Sequence, residues 1–100
     1  MVRKLQKADI DRVADIWLDT NLKAHDFISA QYWKRNFELV KEMLLQAEVY
    51  VYESDQKIQG FIGLNNDYIE GIFVSDKMQS QGIGKILLND TKDKRNELRL

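Results

Sequence analysis

Apolar residues recur along this chain with two different periods, and the change of period divides it into helices and strands. Ile10, Val13, Trp17 and Leu18 repeat at three-to-four spacing, which predicts a helix from about Asp9 to Asn21 with Asp9 as its N-cap. Leu22–Ile28 is a connection carrying Lys23, His25, Asp26 and Phe27. Ser29 is a second N-cap candidate, and Trp33, Phe37, Val40 and Leu44 then form one amphipathic stripe, predicting a single second helix. Ahead of both, Val2–Leu5 alternates as a short strand. Beyond Glu48 the period drops to two. Glu48–Glu53 is a β-branched and aromatic run, Ser54-Asp55-Gln56 is turn material, Lys57–Leu64 is the next strand, Asn65-Asn66-Asp67 is a second turn, and Tyr68–Val74 completes a meander. A last helix opens at Gly82-Ile83-Gly84 with Ile83, Ile86 and Leu87 inward. Residues from Asp90 to Arg99 are almost wholly polar, and the Lys92–Arg99 run reads as a solvated helix end or a frayed tail.

The order is βααβββα, an α/β (α+β) domain with helices packed on a mostly antiparallel sheet. A chain of 100 residues holds one domain, 1–100. With 15 basic and 16 acidic residues, net charge −1, it lacks the basic field that holds nucleic acid or an anionic membrane. No apolar run is long enough to span a bilayer and residues 1–20 carry no signal-peptide pattern, so a cytoplasmic protein is expected. The absence of cysteine excludes disulfides, thiolate zinc sites and a cysteine nucleophile. His25 is the only histidine, and no metal site is expected.

The segment that carries chemistry runs from Ile72 to Gly84. A strand ends, a short loop follows, and two glycines one residue apart open a helix. Glycine there permits a tight turn and lets an anion approach amides that lack helical partners at the positive end of the helix dipole. On the glycines alone two readings stay open: a phosphate or pyrophosphate site, or a turn capping an ordinary helix. A Walker A loop is excluded by Gln79 and Ile86, and a Rossmann fingerprint by Leu87.

The spacing Val-x4-Gln/Arg-x-x-Gly-x-Gly/Ala is met by Val74, Gln79, Gly82 and Gly84. On a βααβββα order this resembles the acyl-CoA-binding motif of the GNAT superfamily of N-acetyltransferases. The resemblance implies a GNAT-like fold that usually continues through a fifth strand, a fourth helix and two more strands, so it implies that this chain is an N-terminal part of one. It implies acetyl-CoA as acyl donor, its pantetheine arm bonded to the backbone of Ile72, Phe73 and Val74 as an added strand. It places the pyrophosphate on the turn of Gln79, Ser80, Gln81, Gly82, Ile83 and Gly84, with Lys85 next in line. Gln79 stands where the family more often has arginine, a missing charge that Lys77 or Lys85 would replace.

Catalysis in the family is direct attack of an amine on the thioester, helped by proton removal. Period-two alternation puts Tyr68, Glu70, Ile72 and Val74 on one face, and the resemblance makes Glu70 the candidate base, against the plain reading of an exposed strand glutamate. His25 and Phe27, in the connection bordering the family's acceptor site, and Tyr68 are candidate acceptor contacts; a solvated histidine and a packing tyrosine are the plain alternatives. The implied function is acetyl transfer to a small-molecule or peptide amine. The alternative is a non-catalytic module that binds CoA or only dimerises. A bare edge on Tyr68–Val74 leads us to expect a homodimer or a separately encoded C-terminal piece as partner.

Overall fold

Val49 and Val51 alternate with Tyr50 and Tyr52, and that alternation sets the layers of the fold. The computed structural model describes residues 1–66 and 68–94. Its elements are β1 (Val2–Lys4), α1 (Ile10–Ala24), α2 (Ala30–Arg35), α3 (Phe37–Gln46), β2 (Glu48–Ser54), β3 (Lys57–Asn65), β4 (Tyr68–Val74) and α4 (Ile83–Lys94). Among the described residues the strands form one antiparallel sheet in the order β1-β2-β3-β4, the meander expected from the sequence. Asp55 (φ 53°) and Gln56 (φ 64°) make the two-residue left-handed turn between β2 and β3, a turn whose twist matches the flanking strands. Asn66 (φ 56°) begins the second turn; Asp67 lies outside the described residues.

The sheet separates two apolar layers. On one face Val49, Val51 and Phe61 pack with Ile10, Val13, Ala14 and Ile16 of α1 and Leu44 of α3, joined by half-buried Trp17, Phe37, Val40 and Phe73. On the other, Ile62 and Leu64 meet Ile83 and Leu87 of α4, with Tyr50, Tyr52, Ile69, Ile72 and Val74 around them. Leu87 has no exposed surface, and burying a side chain of that size is worth about 1.5–3 kcal/mol. No helix among the described residues is long and apolar enough to cross a membrane.

Four expectations need correction. The single helix after Ser29 is two, α2 and α3. The Asn36 side-chain amide donates to the Tyr32 carbonyl at 2.7 Å, and a local side-chain bond of this kind competes with the helical ladder. The Ser29 cap itself is present, its hydroxyl accepting from the Gln31 amide at 3.2 Å. Asp9 does not cap α1. It is only 8% exposed, ends a 3-10 turn, and its carboxylate accepts from both Arg3 Nη atoms at 2.7 and 3.0 Å and from the Gln6 amide at 2.8 Å. In α4, Ile86 is 42% exposed; the buried stripe is Ile83, Leu87 and Thr91, whose hydroxyl donates to the Leu87 carbonyl at 2.8 Å. The expected solvated run is helical as far as Lys94, and its remainder lies outside the described residues.

The fourth correction concerns register. β3 and β4 pair as Gly63↔Gly71 and then Leu64↔Ile69, so Glu70 is the extra residue of a β-bulge. The bulge breaks the period of two. Ile69, Ile72 and Val74 share the α4 face, whereas Glu70 leaves it for the side of Gly71 and Phe73, facing α1 and α3.

Candidate functional site

β4 is the edge strand of the described sheet, and its hydrogen-bond parity decides what that edge offers. The Ser75 amide donates to the Gln59 carbonyl at 2.8 Å. Antiparallel ladders alternate, so Phe73 and Gly71 turn their backbone groups to β3, while Ile72 and Val74 turn theirs outward. The outward direction at Val74 is visible directly: its carbonyl accepts from the Gln79 side-chain amide at 3.2 Å. Of the three β4 residues expected to meet an added strand, two present backbone groups to it. Phe73 instead stacks its ring on Phe61, centroids 4.9 Å apart.

The chain leaves β4 through Ser75, whose hydroxyl donates to the Gln59 side-chain carbonyl at 3.1 Å, and through a 3-10 turn over Asp76–Met78. Ser80 (φ 67°) and Gly82 (φ 80°) then turn in the left-handed region before α4 starts. The first helical bond runs from the Ile86 amide to the Gly82 carbonyl at 3.0 Å, so the amides ahead of Ile86 have no carbonyl one turn back within the helix. A methyl built on Gly82 would meet nothing within 4 Å, which leaves an open approach to those amides. At Gly84 the methyl would lie 3.6 Å from Ile72 and 3.9 Å from Val74, ordinary contact, so that glycine is not sterically required. Ser80, Gln81, Lys77 and Lys85 are exposed around the turn, and Ile83 is buried beneath it. The turn is tied to α1 by Lys23, whose ammonium lies 3.1 Å from Asp19 and 3.2 Å from Asp76; those two carboxylates, Asp19 foremost, raise its pKa.

On the opposite face a cavity of about 590 Å³ opens between α3 and the β3–β4 hairpin. Trp17, Met43, Leu44, Phe61 and Phe73 line it, with exposed Glu70 beside them at the bulge. Glu48 also lines it and accepts from the Tyr50 hydroxyl at 2.9 Å. The candidate acceptor residues lie elsewhere. His25 ends α1 stacked on Trp33 (centroids 5.6 Å), and 80%-exposed Phe27 meets the His25 ring edge-on at 5.9 Å. Trp33 in turn contacts Trp17, so this aromatic cluster reaches the cavity only through Trp17. Tyr68, 49% exposed, pairs with Asn65 at the start of β4 and is not among the lining residues. Sequence reasoning missed Gly63, which also lines the cavity; its signal was a glycine inside a strand. Among the described residues no cluster of three or more His, Asp or Glu could hold a metal ion.

A family model described as an acetyltransferase (GNAT) domain matches residues 14–99. The peptidyl-lysine N-acetyltransferase YiaC of Escherichia coli strain K12 is 30% identical over 102 aligned residues, which cover 100% of this chain and 70% of that protein. The solution structure of apo YjaB from Escherichia coli superposes with a TM-score of 0.84 at 23% identity, covering 98% of this chain and 67% of that one. The structure of PaiA N-acetyltransferase from Thermoplasma acidophilum in complex with coenzyme A does so with a TM-score of 0.77 at 15% identity, covering 94% and 70%. The chain spans 60–70% of the length of the curated relatives it matches.

Proposed function

The chain belongs to the GNAT acetyltransferase family, and on that footing we propose that it binds acetyl-CoA through β4 and the turn before α4 and takes part in acetyl transfer to a primary amine, the lysine side chain of a peptide being the acceptor class. The observation that carries this reading is the convergence at β4: outward backbone groups of Ile72 and Val74 lead directly into a turn whose amides ahead of Ile86 make no helical bond, with Glu70 at the bulge of the same strand. The turn fits a pyrophosphate, since Gly82 leaves the approach open and the amides before Ile86 supply donors at the positive helix end. Lys77 and Lys85, exposed on either side of Gln79–Gly84, supply the charge that Gln79 does not.

Acetyl-CoA, when bound, supplies the thioester at which the amine nitrogen is acylated. The chain's own part is to hold and to deprotonate. Gln79 braces the turn against Val74, and Lys23 ties the 3-10 turn ahead of it to α1. Glu70 takes the proton that the acceptor ammonium must lose, directly or through water. The acceptor class follows from the relatives named peptidyl-lysine N-acetyltransferases.

Titration with CoA, followed by backbone amide NMR, tests the binding half. Shifts should concentrate at Ile72, Val74 and residues 79–85; an unchanged spectrum at millimolar CoA rejects the assignment. Thiol release from acetyl-CoA in the presence of a lysine peptide tests the acceptor half, and no release above the peptide-free rate would leave CoA binding without turnover.

A further inference from the structure

Gly63 sits inside β3, paired across the sheet with Val49 on one side and Gly71 on the other. A glycine inside a strand costs stability relative to alanine, so its presence needs a reason. The usual two are absent. Gly63 does not occupy the left-handed region, and a methyl built on it meets nothing within 4 Å. Gly71 differs: there a methyl would lie 2.6 Å from the Phe73 ring, so that glycine makes room for the protein's own aromatic wall. The empty space over Gly63 is the cavity that Trp17, Met43, Phe61, Phe73 and Glu70 surround.

We infer that Gly63 is the floor of the acceptor pocket, and that its missing side chain leaves room for the unbranched alkyl stem of a lysine-type amine whose ammonium reaches Glu70. The apolar walls match a methylene chain, which gains by leaving water. Of the two glutamates that line the cavity, Glu48 accepts from the Tyr50 hydroxyl, and Glu70 at the bulge matches the charged end. This inference rests on the acetyl-transfer reading for its reaction, but its binding claim stands on the cavity alone. It makes Gly63 a determinant of acceptor shape, and the bulge the device that puts Glu70 on the side of the same cavity.

The test fills the floor. Gly63→Val places methyl groups in open space on a strand position that suits a β-branched residue; Gly63→Ala adds less bulk should valine disturb the sheet. The probe is Nα-acetyl-lysine methylamide, followed by the amide signals of residues 63 and 71 and the Trp17 indole. Saturable shifts are expected in the wild type. Affinity should fall about tenfold or more in Gly63→Val, equivalent to about 1.4 kcal/mol, and less in Gly63→Ala. Glu70→Gln should also weaken binding, and the norleucine analogue, which keeps the stem and lacks the amine, should bind more weakly than the lysine probe. Melting temperatures should be unchanged or higher in the Gly63 variants, and the CoA response at residues 79–85 should be unaltered. Equal probe affinity in wild type and Gly63→Val, or no saturable shift at these three reporters while CoA still binds, overturns the inference. Probe binding without any CoA response would uphold the pocket and remove the acetyl-transfer reading, so the two failures are distinguishable.

Discussion

Gly82→Ala separates backbone conformation from ligand approach. At φ 80° an L-residue carries a left-handed penalty of roughly 1–2 kcal/mol, and with nothing within 4 Å of the added methyl no clash adds to it. Alanine also restricts the unfolded chain, which returns about 0.4–1 kcal/mol. The net loss is therefore about 1 kcal/mol, and for a domain of this size that displaces the melting temperature by roughly 4–8 °C. A fold of ordinary stability survives it, so binding stays measurable. The methyl would stand in the approach to the turn amides, and CoA affinity should fall at least tenfold, about 1.4 kcal/mol. Gly84→Ala is the internal control. Its methyl lies in ordinary contact with Ile72 and Val74, and helix propensity favours alanine there, so both stability and CoA affinity should hold. Circular-dichroism melting and calorimetric titration with CoA read the two effects separately. An unchanged CoA affinity in Gly82→Ala refutes the claim that this space belongs to the ligand; an unchanged melting temperature refutes the strain argument.

Glu70→Gln should lower kcat for a lysine peptide by about 10²–10⁴-fold with CoA affinity unaltered, and wild-type rates from the variant would reduce Glu70 to a strand residue. Asp9→Asn should cost about 2 kcal/mol in urea unfolding, since it removes the negative charge and replaces one of the two oxygens that accept from Arg3 with a donor. The Arg3 hydrogen bonds, aided by the Gln6 amide, hold the Asp9 carboxyl below its ordinary value, so its stabilisation is present above about pH 4 and is lost as pH falls through the folded-state value. The wild type should lose stability more steeply than Asp9→Asn as pH falls below about 4, and parallel acid limbs would refute the pairing.

Local chemistry was legible in the sequence and long-range capture was not. The run from Tyr68 to Val74 fixed the limits of β4, because β-branched and aromatic residues lie between polar turns. The turn before α4 was equally legible, since two glycines at a strand-to-helix junction have few other uses. Asp9 looked like an N-cap because nothing nearby in sequence marks Arg3 as its partner; the fork forms only when the 3-10 turn over Lys7–Asp9 folds back on β1. Asn36 interrupts the second helix through one side-chain bond, which leaves the apolar stripe of Trp33, Phe37, Val40 and Leu44 looking continuous. Thr91 hid in a polar stretch because its hydroxyl is satisfied inside its own helix. The bulge is the instructive miss. One extra residue changes neither composition nor strand length, yet it reverses which face every residue before it occupies.

That reversal explains how one strand borders both the turn before α4 and the cavity on the far face. A residue in β4 has three directions available: one face, the other face, and the outer edge. Beyond the bulge, Ile72 and Val74 use their side chains to anchor α4 and their backbone groups to form the edge, so the turn and the edge are held in one rigid unit. Gly71 and Phe73 spend their backbone groups on β3 and give their side-chain positions to the cavity. Without the bulge, Glu70 would lie in phase with Ile72 and Val74, and its carboxylate would face the apolar layer under α4, where an unpaired charge is costly. With it, Glu70 lies on the cavity side while the edge keeps its alternation. The division of labour accounts for why Gly82 and Gly63 should fail separately: the first borders the edge and turn, the second lies on the far face, and between them β4 carries no residue asked to do both.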